Sequence, residues 1–236
     1  MTNTCANTTH TSTPSDQGGR GPRLTDCATS RIHSDSEKYF PLASYLCAID
    51  VETGDLDPNT GALLSIAAVG EDGSRFLRWI KPSTWWHLFT PRAVTYGAVK
   101  VNGYSSELWQ QKGAVSLKQA AIEFRDWISS QKKEGRRVEA VAHNAGFDRA
   151  WLEKWQDLTG IHFGISRRWR CSQSLLLSCM DAGLIHPGAS SLDALCSVVG
   201  VVRPLRDGRH DAALDAAACL QGYQFLLNLM KKERDA

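Results

Sequence analysis

The order of apolar segments between residues 45 and 144 is what most constrains the fold of this chain. YLCAIDV (45–51) is short, apolar and partly β-branched, GDLDPNTG (54–61) supplies turn residues, and LLSIAAVG (63–70) begins a second run of the same kind. An antiparallel hairpin is the natural reading. SRFLRWIKP (74–82) can make a third strand that Pro82 ends. In SLKQAAIEFRDWISSQKK (116–133), Leu117, Ala121, Phe124 and Ile128 recur at helical spacing. VEAVAHN (138–144) returns to a short strand. FDRAWLEKWQDLTG (147–160) then reads as a helix with Trp151, Trp155 and Leu158 on one side and Gly160 closing it. SLDALCSVVGV (191–201) and DAALDAAACLQGYQFLLNLMKK (211–232) complete the helices. This order implies one α/β domain over 45–232, a mixed β-sheet flanked by α-helices, with no internal repeat.

Residues 1–36 are rich in Thr, Ser, Asn, Gly and Pro and hold almost no large apolar side chain, so burial cannot offset the entropy of ordering them. They are expected to form a disordered tail, with Cys5 and Cys27 given no role. The 236 residues have room for one domain of ordinary size. Apolar residues make up 42% and charged residues 22%, and no apolar run approaches the ~20 residues of a membrane span, so no membrane partner is expected. The seven cysteines are odd in number and lack C-x-x-C spacing, and no signal sequence opens the chain. Reduced thiols and a cytoplasmic location follow as expectations. A net charge of +2 leaves a nucleic-acid partner open, since a nearly neutral protein can carry a local basic groove or none.

Against this framework, five polar residues in three separated segments stand out: Asp50 and Glu52 in AIDVETGD, Asp148 in HNAGFDRAW, and His210 with Asp215 in GRHDAALDAA. Asp50 and Glu52 are two apart on a strand, so their side chains leave the same face while Val51 leaves the other. Asp148 opens a helix, where the free N–H groups favour a carboxylate whatever its function. His210 and Asp215 diverge by about 140° on a helix, so they can meet only if His210 lies on the preceding loop. Asp211 suits the cap position, which places Asp215 one turn in. Each residue alone has a bland alternative: a solvated acidic pair, a helix start, a surface histidine. Together, four carboxylates in one small volume would repel strongly unless divalent cations neutralised them, and the histidine would supply a base.

In this order the residues resemble the DEDDh 3′–5′ exonucleases, the DnaQ-like, ribonuclease-H-like group. D-x-E-T is Asp50 to Thr53, N-x-x-F-D is Asn144 to Asp148, and H-x-A-x-x-D-A is His210 to Ala216. GALLSIAAVG, PRAVTYGAVKVNGY and SLDALCSVVGV resemble that family's second strand, its substrate-side loop and the helix before its histidine, so the likeness runs from about residue 45 to 230. A tyrosine-type relative would carry Tyr four residues before the last Asp, and position 211 is Asp. The resemblance implies a ribonuclease-H-like fold and two Mg²⁺ or Mn²⁺ ions. Asp50, Glu52 and Asp215 would hold the first, Asp50 would bridge to the second, and Asp148 would act on the second through water. Two ions ~3.5–4 Å apart suit phosphodiester cleavage, one activating water and the other stabilising the leaving 3′ oxygen. His210 would take the proton from that water, nearby carboxylates raising its pKa and bound cations lowering it. The product would be a nucleoside 5′-monophosphate. Thr53 and Asn144 look placed to hold the 3′-terminal nucleotide.

The expected partner is a single-stranded or frayed 3′ end, with DNA preferred over RNA; an RNA-trimming enzyme and a catalytically silent binding module are the alternatives. A homodimer is compatible with the sequence, and nothing indicates a polymerase partner, since the chain stops at KKERDA soon after its last helix. RRWR (167–170) can bind phosphate and stack a base, or put Trp169 into the core. KKEGRR (132–137) reads better as a solvated helix end than as a groove. Trp85, Trp86 and Phe89, which by resemblance border the site, could stack on terminal bases or pack in a core or dimer. His143 and His162 match no catalytic position and are taken as structural.

Overall fold

The computed structural model describes residues 44–82, 93–132, 135–203 and 205–235. The tail at 1–36, the aromatic segment with Trp85, Trp86 and Phe89, and Lys133 and Glu134 lie outside the described residues. Strand β1 (Tyr45–Thr53) pairs antiparallel with β2 (Leu63–Gly70), which pairs antiparallel with β3 (Arg75–Trp79). Strand β4 (Val138–Ala142) lies parallel to β1 on its other side, and β5 (Arg170–Cys171) lies parallel to β4. The sheet order is β3-β2-β1-β4-β5, so β1 and β4 are interior. The hairpin, the third strand and the mixed sheet expected from the sequence are all present.

Seven helices among the described residues accompany the sheet: α1 (Tyr96–Asn102), α2 (Ser106–Gln111), α3 (Leu117–Ser130), α4 (Ala145–Thr159), α5 (Ser172–Asp181), α6 (Leu192–Val199) and α7 (Ala212–Arg234). The period-2 alternation of β1 separates two cores. Tyr45, Cys47, Ile49 and Val51 pack with Ala121, Phe124 and Ile128 of α3 and Trp151 and Trp155 of α4. Phe124 stacks on Trp155 at 5.7 Å, and the Trp155 indole donates to the Leu117 carbonyl at 3.1 Å, so a large side chain is buried without an orphaned N–H. Ala48 faces the opposite core with Leu176 of α5, Leu195 of α6 and Ala216, Cys219 and Leu226 of α7. Asp50 and Glu52 continue the α7 side of the alternation. Helix α7 approaches closely because its inner face is small: a Cβ on Gly222 would meet Leu195 at 2.5 Å.

Helices α1, α2 and α5 and strand β5 are additions to the sequence reading. YGAVKVN contains glycine and two valines, a poor helix former by propensity. It is helical here because Thr95 caps its start and Gly103, at φ 69°, caps its end. In RRWR, Arg170 belongs to β5 and Trp169 packs against the α3–α4 core, so the aromatic takes the structural role. Arg170 donates to Glu139 at 2.6 Å and to the Tyr223 hydroxyl at 3.2 Å.

Candidate metal centre and active cleft

Strands β1 and β4 run the same way, so their C-terminal ends open at one edge of the sheet, beside the start of α7. An open cleft of about 730 Å³ lies there, and it is lined by Asp50, Glu52, Thr53, Asn144, Asp148, His210 and Asp215. Every residue that the sequence singled out for the site is thus brought to one cavity. Of KKEGRR, Arg136 and Arg137 directly precede β4, at the far end of that strand, where Arg136 pairs with Glu71 at 3.0 Å. Among the described residues, Lys132, Arg136 and Arg137 do not line the cleft.

Local structure explains each placement. The ladder between β1 and β2 shifts register between Glu52 and Thr53, which ends regular pairing just past the two carboxylates. The Thr53 hydroxyl donates to the Asp55 carbonyl at 2.7 Å, while its own carbonyl accepts from Asn102 of α1 at 3.0 Å. Asn144 starts α4 in the left-handed region, φ 61° and ψ 56°, which Asn tolerates better than most residues, and its side chain makes no capping bond. It remains exposed in the cleft. Asp148, in the first turn of α4, accepts the Val51 N–H at 3.2 Å and so ties α4 to β1. His210 lies on the loop before α7, and Asp211 caps the helix by accepting from Ala213 and Leu214. Asp215 follows one turn in, as the spacing required.

One carboxylate oxygen from each of Asp50, Glu52 and Asp215 lies within 4.8 Å of the others. Asp148 stands beside this triple, 3% exposed. Glu52 and Asp215 are also buried, at 8% and 2% exposure, and Asp50 is half-buried. Burial, then Asp148, Glu52 and Asp215, hold the Asp50 carboxyl well above the ordinary range. Burial and then Asp215 push Glu52 up to about 8, and burial pushes Asp148 up to about 8 despite the N–H bonds it accepts. Crowded hard-oxygen donors of this kind fit Mg²⁺ or Mn²⁺, which take carboxylate oxygens readily. The fit gives a prediction in the absence of metal. A carboxyl whose folded pKa is raised binds more protons folded than unfolded, so its contribution to stability is present below about pH 4.5 and is lost as pH rises to about 8. Retention of even two units of such a shift would lower the melting midpoint by about 5–10 °C across that window. Thermal melts in chelator should show this fall, and melts in Mn²⁺ should remove it; a flat profile in chelator would contradict the electrostatic account.

Arginine 203, which sequence reasoning passed over, belongs to this site. Its Nε donates to one Asp215 oxygen at 2.9 Å and its Nη2 to the other at 2.5 Å. The same Nη2 lies 3.3 Å from Nδ1 of His210. The His210 pKa is lowered, first by burial and then by Arg203, which together outweigh the raising effect of Asp215 and Asp193. His143, taken as structural, bridges the Ser172 hydroxyl and the Ser190 carbonyl at 2.9 Å each while bordering the cleft. His162 is exposed and lies outside the cleft.

An antiparallel hairpin extended by parallel strands, with clustered carboxylates at its open edge, defines a DnaQ-like 3′–5′ exonuclease of ribonuclease-H-like fold. Residues 46–225 match the model of the "Rv2179c-like: 3'-5' exoribonuclease Rv2179c-like domain", and the chain belongs to that family. It is 34% identical over 204 residues to ribonuclease T of Photobacterium profundum, covering 82% of this chain and 84% of that protein. It is 28% identical over 191 residues to the 3'-5' DNA exonuclease Cap18 of Escherichia coli, covering 79% and 94% respectively. The nuclease domain of 3'hExo, a DEDDh family member bound to rAMP, superposes with a TM-score of 0.60 at 12% identity, over 78% of this chain and 92% of that one. No described helix is long and apolar enough to cross a membrane.

Proposed function

We propose that this exonuclease removes nucleoside 5′-monophosphates one at a time from single-stranded or frayed 3′ ends, with DNA as the first substrate. The convergence of carboxylate oxygens from Asp50, Glu52 and Asp215 carries the reading. Those three would hold the first Mg²⁺ or Mn²⁺, and Asp50 with Asp148 would serve the second. When bound, the ions supply Lewis-acid stabilisation of the charge that builds on the phosphodiester. His210 accepts a proton from the attacking water, whose oxygen bonds to phosphorus as the bond to the 3′ oxygen of the preceding nucleotide breaks. A lowered pKa suits this work, because a base must be neutral at the start of the reaction. Thr53 and Asn144, both lining the cleft, are assigned to the terminal nucleotide.

RNA trimming is the second reading, favoured by the description of the matching family and by the likeness to ribonuclease T. The likeness to a DNA exonuclease favours the first. Matched 5′-labelled single-stranded DNA and RNA oligonucleotides separate the two. In Mg²⁺ or Mn²⁺ both readings predict a ladder shortening from the 3′ end and none in chelator. The faster substrate decides between them, and a folded, Mn²⁺-binding protein that cleaves neither would sink both.

A further inference from the structure

We propose that Arg203 is a clamp displaced by metal: it occupies Asp215 and His210 in the metal-free enzyme, and divalent-cation binding at Asp50, Glu52 and Asp215 releases both groups together. The inference rests on the divalent-metal reading of the acidic cluster given above.

Arg203 emerges from the segment after α6 and is nearly enclosed, with its side chain 12% exposed. Its fork takes both oxygens of Asp215, one of the three carboxylates that converge. A guanidinium remains protonated and can only donate, so Nδ1 of His210, 3.3 Å from Nη2, faces it as a lone-pair acceptor. A neutral imidazole has one nitrogen with a free lone pair, and that is the lone pair a general base uses. The same guanidinium therefore holds a ligand of the acidic triple and blocks the base.

A divalent cation seated in the triple would face the guanidinium across a single carboxylate. Two like-charged groups at that range repel, and in a buried setting the repulsion is poorly screened. Arg203 has a second partner to receive it: Nη1 lies 3.6 Å from Oδ1 of Asp193, in the first turn of α6, with that side chain 68% exposed. Moving from Asp215 toward Asp193 exchanges a buried carboxylate for a solvated one and keeps the guanidinium paired. His210 then loses the donor on Nδ1, and its lone pair becomes available to a water in the cleft. Metal loading and readiness of the base are in this way a single event, so the enzyme without its ions is held with the base engaged.

Mn²⁺ titration of the full chain without substrate, read by the electron paramagnetic resonance of free Mn²⁺, tests the clamp in wild type, Arg203→Met and Arg203→Lys. Arg203→Met keeps much of the side-chain length without the competing charge and should bind Mn²⁺ about tenfold or more tightly than wild type, the scale of a lost charge-assisted hydrogen bond. Arg203→Lys keeps the charge but cannot fork, and should fall between the two. Equal or weaker Mn²⁺ binding in Arg203→Met would overturn the proposal, weaker binding showing that Arg203 instead positions Asp215 for the metal. Should Arg203→Met fail to fold, wild type carries the test alone: in protein labelled with ¹⁵N-histidine, adding Mg²⁺ should shift the Nδ1 resonance of His210, and an unchanged resonance overturns the clamp. A wild type that binds Mn²⁺ yet cleaves no oligonucleotide would count against the exonuclease substrates and leave this titration readable. A wild type that binds no Mn²⁺ would end both.

Discussion

Asp50→Ala is expected to abolish cleavage while leaving the chain folded. Asp50 sits where the α7-side face of β1 meets the triple, and it is the residue assigned to both ions. Losing a carboxylate that organises the metals removes several kcal/mol of stabilisation from the reaction's transition state. At ~1.4 kcal/mol per tenfold in rate, kcat should fall by about 10³-fold or more. Folding should not suffer, because this carboxyl is under strain from burial and from Asp148, Glu52 and Asp215. Its removal relieves that repulsion, so the melting midpoint in chelator should stay level or rise. Turnover of a labelled oligonucleotide together with a thermal melt checks both halves. Retained turnover in the purified variant would place the active site elsewhere.

His210→Ala should slow the chemical step by roughly 10²–10⁴-fold, the span typical of a general base. Mn²⁺ affinity should survive, since the oxygen ligands are untouched, and this separates the variant from Asp50→Ala. The wild-type pH profile carries a further sign. Burial holds the His210 pKa below its ordinary value, so the neutral base persists to lower pH than a solvated histidine would allow. Activity should therefore fall on acidification through a midpoint below ~6.5. Single-turnover rates at saturating metal read both effects, and an unchanged rate in His210→Ala would remove it from the mechanism.

Much of this was legible in the sequence because it depends on local rules. The two-residue spacing of Asp50 and Glu52 on a strand told that they share one face of β1, opposite Val51. The cap at Asp211 told where α7 begins, and so that His210 stands outside the helix and Asp215 inside it. Arg203 was not legible, for a physical reason. It is one of three arginines between residues 203 and 209, and nothing in their spacing ranks them. Arg206 pairs with the capping Asp211 at 3.0 Å, and Arg209 lies against Gly103, where a Cβ would meet its side chain at 2.5 Å. Only the return of that loop over Asp215 selects Arg203, and loop paths have no period to read. Helix α1 was missed likewise, since its caps outweigh a composition that argues against a helix. Trp169 was left open between stacking and core because a lone aromatic among cations reads the same either way until its neighbours are known.

The Val51 N–H reaches Asp148 across 97 residues of chain, and Asp215 arrives on a helix that follows every strand of the sheet. As the polypeptide leaves the ribosome, the hairpin of β1 and β2 can form early. It then displays two acids with nothing to complete them. The acidic triple closes only when α7 has emerged and docked against the finished sheet, bringing Asp215 with it. Completeness of the site is thus tied to the docking of its last described helix, so the acids are assembled by the whole fold and by no local segment.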